Sequence, residues 1–144
     1  MQPVNYSKFC YYKIEPDDLD SIEPQPVEFL GGSLQRMCGI GIDEPPCQLV
    51  YEDFFPGYEY KWVTWVDQLD FVTEGTAEIT YYDPPAWEAK HTVVVEAPCV
   101  YLIPRGTHLV WKITGEKVFR HISVDIPNPL FPTELAKSLK GQHK

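Results

Sequence analysis

The feature that most constrains this chain is its punctuation. From residue 47 onward, short segments of alternating apolar and polar residues recur about every ten residues, each bounded by Pro, Gly or Asp. The segments are 47–54, 58–66, 69–72, 77–82, 91–96, 100–103, 109–113 and 118–126. Between them lie Pro56-Gly57, Glu74-Gly75, Asp83-Pro84-Pro85, Pro104-Arg105-Gly106 and Gly115. Proline lacks the N–H that a helix or a ladder needs, and glycine admits the positive φ of tight turns. No long helix can run through such breaks, so the pattern predicts an all-β sandwich or barrel of short strands. The 14 prolines, about twice the usual ~5% share, and the 14% aromatic content fit that class.

A length of 144 residues suits one domain with a core of its own. Residues 1–26 hold Pro3, Pro16, Pro24 and Pro26 and show no period, so they read as an irregular arm with an edge strand at 9–14. Residues 27–130 form the β domain, and residues 131–144 a short C-terminal helix and tail. Thr133 would cap that helix, with Glu134 in its first turn and Gly141 past its end. The 12 basic and 21 acidic residues give a net charge of −9. Such a chain repels phosphate backbones and anionic lipid, so neither nucleic acid nor a membrane is expected as a partner. No apolar run approaches the ~20 residues of a membrane span. Residues 1–9 lack a basic-then-apolar leader, and the four cysteines form no Cys-x-x-Cys, so a cytoplasmic protein with reduced thiols is expected. Cys99, in an apolar run, reads as a small buried hydrophobe. Neither a phosphate-binding glycine loop nor a Gly-x-Ser-x-Gly elbow is present.

Four blocks occur in order: Phe54-Phe55-Pro56, Asp67-Gln68-Leu69-Asp70-Phe71-Val72-Thr73-Glu74-Gly75, Ile103-Pro104-Arg105-Gly106, and a closing strand from Arg120-His121-Ile122-Ser123-Val124 to Pro127. Together they resemble the cupin superfamily, in particular its small single-domain members of the ethanolamine-utilisation Q type. The resemblance covers roughly residues 48–128. It implies a jelly-roll β-barrel, paired into homodimers, with an N-terminal strand crossing to the partner; Phe9-Cys10-Tyr11-Tyr12 would suit that docking. Metal-dependent cupins carry three His and one Glu. Counted back from Gly75, their Glu falls on Gln68 and their paired His on Trp62 and Thr64, or on Lys61 and Val63. The third falls on Leu109; His108 is one residue short and would face the other side of its strand. The usual ligand set is therefore missing, and no metal or other cofactor is expected.

Alternation puts Gln68, Asp70 and Val72 on one face, Tyr60, Trp62 and Thr64 on another, and Phe119, His121 and Ser123 on a third. Period alone leaves open which faces point inward. An inward Asp70 among aromatics would have a raised pKa and could act as general acid or base. Equally, it could bond backbone or a tyrosine hydroxyl and hold the fold. His121 is either a proton carrier beside Asp70 or a core histidine satisfied by one hydrogen bond. Tyr51, Tyr60, Trp62, Thr64, Gln68, His108 and Trp111 are the candidate substrate-binding residues, for a hydrophobic or aromatic oxygenated small molecule. Core packing is the plainer role of the aromatic ones, solvation that of His108. Glu52 and Lys61 read as an exposed ion pair, Asp17, Asp18, Asp20 and Glu23 as a solvated arm, and His91 and His143 as surface residues. The leading expectation is a metal-independent lyase or isomerase, with Asp70 and His121 catalysing isomerisation, cyclisation, dehydration or decarboxylation. The alternatives are a non-catalytic binding or assembly cupin, and a metal-dependent one with ligands rearranged onto His108, His121 and Asp70 or Glu52.

Overall fold

The structure, a computed structural model, describes residues 11–39 and 48–126. A short helix α1 (Asp17–Asp20) precedes strands β1 (Gln25–Val27), β2 (Ser33–Gly39), β3 (Gln48–Phe54), β4 (Glu59–Val63), β5 (Asp67–Glu74), β6 (Thr76–Tyr82), β7 (Lys90–Glu96), β8 (Cys99–Ile103), β9 (His108–Thr114) and β10 (Phe119–Ile126). A single 3-10 turn, Glu28–Leu30, links β1 to β2. Each segment that alternation marks as extended contains a strand from β3 onward. Residues 64–66, expected to continue β4, leave it instead. Residues 11–14 form no strand, and the expected C-terminal helix lies outside the described residues.

The strands make two antiparallel sheets, ordered β1-β2-β3-β10-β5-β8 and β4-β9-β6-β7. The described strands form two facing layers of a jelly roll, the all-β architecture that the sequence pattern and the resemblance imply. The chain passes from one sheet to the other between β7 and β8, at Ala97-Pro98, where proline offers no N–H to carry the ladder across. One end of the interior is apolar. Phe54 stacks on Tyr60 with centroids 3.9 Å apart and meets Trp111 edge-on at 5.4 Å, over buried Val72, Ala77 and Phe119. Gly75 closes the β5–β6 turn at φ +93°. A Cβ there would lie 2.3 Å from the Val118 carbonyl oxygen, so only glycine fits.

Going along β10 from Phe119, the inward residues become His121, Ser123 and Asp125. Opposite them on β5 stand Val72, Asp70 and Gln68, and on β3 Glu52 faces His121. The inner face of the six-stranded sheet thus turns polar toward one end.

The outer face of the same sheet carries a second charged group. Asp53, fully buried, accepts from Arg120 Nε and Nη2 at 2.8 Å each and from Arg36 Nε at 2.7 Å. Arg120 also reaches Asp20 Oδ1 at 2.6 Å, fixing α1 against the sheet with Leu19 buried beneath it. Asp20, read from sequence as part of a solvated arm, is held below its usual pKa chiefly by its hydrogen bond to Arg120.

Candidate functional site

The polar end of the interior opens as a cavity of about 430 Å³, with Trp62, Trp65 and Trp111 as walls and Glu52, Gln68 and Asp125 among its polar lining. Gln35 and Ser123 also face it. Strand alternation explains the set. Glu52, Gln68 and Asp125 project from three neighbouring strands of one sheet, and Trp62 and Trp111 from two paired strands of the other.

Behind the wall lie two buried ionisable groups, His121, which is hydrogen-bonded to Glu52, and Asp70, which is hydrogen-bonded to Gln68. His121 has no exposed surface; its Nε2 is 2.8 Å from Glu52 Oε1 and its Nδ1 is 3.2 Å from the Phe119 carbonyl. A carbonyl only accepts, so Nδ1 carries a proton. Burial works against charge on this ring. The Glu52 carboxylate and its hydrogen bond, the Asp70 charge and the Phe119 carbonyl outweigh it, and the imidazole titrates above its ordinary value. The Nε2 contact with Glu52 is the other hydrogen bond of the ring. Glu52 takes a further hydrogen bond from the Gln35 amide.

Asp70 is also fully buried. Its Oδ1 accepts from Gln68 Nε2 at 3.0 Å, while Oδ2 has no hydrogen-bond partner among the described residues. Burial pushes its carboxyl pKa up, and the pull of His121, Gln68 and the nearby Tyr101 hydroxyl does not reverse that. Tyr101, opposite Asp70 on β8, accepts from Trp111 Nε1 at 2.9 Å; burial and the Asp70 charge raise its own pKa well above the usual tyrosine value. Asp125 is raised by burial, then by Asp70 and Glu52.

The structure thus brings Asp70 and His121 to one inner face, with Gln68, Trp62 and Trp111 at the cavity beside them. It places the other candidates elsewhere. Tyr51 points to the opposite face of β3, where Arg120 lies over its ring at 5.8 Å. Tyr60 is packed in the apolar core, and its hydroxyl is used by the Phe55 amide and the Leu34 carbonyl. Burial pushes that hydroxyl up to about 12. Thr64 Oγ1 donates to the Pro104 carbonyl at 2.8 Å and accepts from the Thr107 amide at 3.1 Å, clipping the Pro104-Arg105-Gly106 turn. His108 packs on Trp87 with ring centroids 4.5 Å apart, beside Val63 and Tyr82. Cys99 is half-buried, and burial raises its thiol pKa. His91 pairs with Asp83 at 3.0 Å, with both side chains substantially exposed.

Sequence reasoning did not select Gln35, Tyr101 or Asp125, and it placed Glu52 in an exposed pair with Lys61. Glu52 is only 9% exposed and bonds His121 instead. Tyr101 and Asp125 share a face with Asp70 and His121 only once the register of β8, β5 and β10 is known.

The metal positions of a cupin do not fit one here. Leu109 is aliphatic, the Thr64 hydroxyl is used by the turn, and the Gln68 amide is used by Asp70. Among the described residues no three His, Cys, Asp or Glu side chains converge as ligands.

No family model and no curated protein matches the sequence. Solved structures do. The Clostridium difficile EutQ protein superposes with a TM-score of 0.55 at 17% identity, covering 81% of this chain and 82% of that one. The cupin domain of Schizosaccharomyces pombe Cnp3 gives 0.56 at 16% identity, covering 78% and 70%. A Lactobacillus farciminis oxalate decarboxylase gives 0.57 at 14%, covering 74% of this chain and 31% of its own. The chain has the cupin fold, on which proteins of quite different roles are built.

Proposed function

We propose that the indole-walled cavity binds a small, ring-bearing, oxygenated molecule and that the buried acid–histidine group moves a proton on it without a metal. The observation that carries this reading is the His121–Glu52 pair. Glu52 stands in the cavity wall, and the 2.8 Å contact links it to the fully buried imidazole of His121. Glu52 is the group that meets the substrate, while His121 and Asp70 set its charge from behind. A proton taken from one substrate atom by the Glu52 carboxylate and returned to another leaves composition unchanged, which is an isomerisation. The three tryptophans supply position and exclude water. The free thiols of Cys38 and Cys99 suit a reducing cytoplasm, and among the described residues no helix is long and apolar enough to cross a membrane.

A second reading is binding without chemistry. It draws on the complete burial of both Asp70 and His121, which keeps them off the wall itself. One experiment separates the two. Thermal-shift screening with substituted aryl ketones, arylalkylamines and six-membered lactones selects molecules that bind. Proton NMR in D₂O then follows exchange of their acidic C–H groups. Exchange with the wild type that is lost in Glu52→Gln, with binding retained, supports proton transfer. Binding without exchange leaves only the second reading, and the absence of any hit removes both.

A further inference from the structure

Among the described residues, the cavity lining is rich in acceptors and holds no lysine or arginine. Glu52 is already committed to His121 and to the Gln35 amide. For Asp125, also in the lining, the charged groups acting on it among the described residues are the carboxyls of Asp70 and Glu52. Gln35 gives a separate indication. It is 3% exposed and faces the cavity, its Nε2 is committed to Glu52, and its Oε1 has no hydrogen-bond partner among the described residues. The amide cannot be turned round without setting its oxygen against the Glu52 carboxylate. A buried carbonyl oxygen left without a donor keeps the cost of its lost hydration, so a donor brought by a ligand would remove a standing penalty. The rings facing these acceptors are Trp62, Trp65 and Trp111. Indole is the best aromatic platform for a cation.

We infer that the ligand of this cavity is an organic ammonium on an aromatic or heterocyclic body, its N–H groups directed to Gln35 Oε1 and the Asp125 carboxylate and its charge resting against the indoles. The inference rests on the preceding reading, that the cavity takes a small molecule, and adds the charge and hydrogen-bonding character of that molecule. It also excludes a class, because an anionic ligand would meet the Asp125 and Glu52 carboxyls with no lysine or arginine among the described lining residues to offset them.

Three probes of similar length test it: 2-phenylethylammonium, 2-phenylethanol and 3-phenylpropionate, titrated calorimetrically into the full chain at pH 7. The expected order is ammonium tightest, by about tenfold over the alcohol, a difference of ~1.4 kcal/mol, with the carboxylate weakest. In Asp125→Asn the ammonium advantage should fall to about threefold or less (~0.7 kcal/mol) while the alcohol binds as before. Gln35→Leu should lower ammonium affinity independently, which keeps the test open if one variant folds poorly. Equal binding of ammonium and alcohol, or tighter binding of the carboxylate, overturns the inference and leaves the small-molecule reading standing. Failure of all three probes to bind counts against both.

Discussion

Asp70 is an acid placed where its ion is disfavoured. Its folded-state pKa is raised by burial, so the folded chain binds that proton more readily than the unfolded chain does. Such a group favours folding at low pH and opposes it increasingly as pH rises from the unfolded value, about 3.9, through the folded one. Asp70→Asn removes the opposing ion. It should raise Tm at pH 7–8, by ~2–4 °C for each kcal/mol of relieved charge burial, with the advantage fading below about pH 4. A pH series of thermal melts checks this; a difference that stays constant with pH would mean that Asp70 is not the titrating group. Alternation grouped Asp70 with Gln68 and His121 with Ser123 but left open which faces turn inward, and the register of β5 and β10 supplies that. Glu52 was not grouped with either. It adjoins Asp53, and both are buried, one toward each face of β3. Two buried acids in succession look, to any periodic argument, like a solvated stretch.

At the scale of elements, β3 and β10 hold the molecule together from both sides. Outside the sheet, Asp53 is the common acceptor of Arg36 and Arg120. Its removal leaves two guanidinium groups largely enclosed and short of a partner. Breaking a buried ion pair on one side costs ~3–5 kcal/mol, so Asp53→Ala should lower the urea midpoint accordingly. Amide exchange at Leu19 should quicken in the variant, because α1 is tied through Arg120. Unchanged stability would show that the group is not a structural anchor. The same region shows where sequence reading ran out. The eight later strands were found from their alternation and their Pro and Gly limits. β1 and β2 were not, because the inward positions of β2 include Ser33 and Gln35, buried polar residues that erase the apolar signal. Those polar positions help build the cavity, so the feature that hides the strand also serves the site.

At the scale of the molecule, β8 is an edge of the six-stranded sheet, with no further strand beside it among the described residues. Phe71, Val100 and Leu102 are 43%, 55% and 59% exposed, with Phe71 and Val100 in register across β5 and β8. An apolar strip beside an unpaired strand invites a second sheet edge, in keeping with the homodimer that the sequence resemblance implies. Sedimentation should find a species of twice the 16.6 kDa chain, and Leu102→Lys should return it to single chains. A wild type that sediments as one chain at every concentration would dismiss the pairing.

The outer and inner groups are written into consecutive residues: Glu52-Asp53 on β3 and Arg120-His121 on β10. If β10 settled one step out of place, Arg120 would turn toward the indoles and His121 toward α1. The guanidinium would then lose Asp53, and Glu52 would lose the imidazole that balances it. Mispaired alternatives of the central sheet are therefore penalised at two charges together. The residues that tune the cavity also proofread the pairing that forms it.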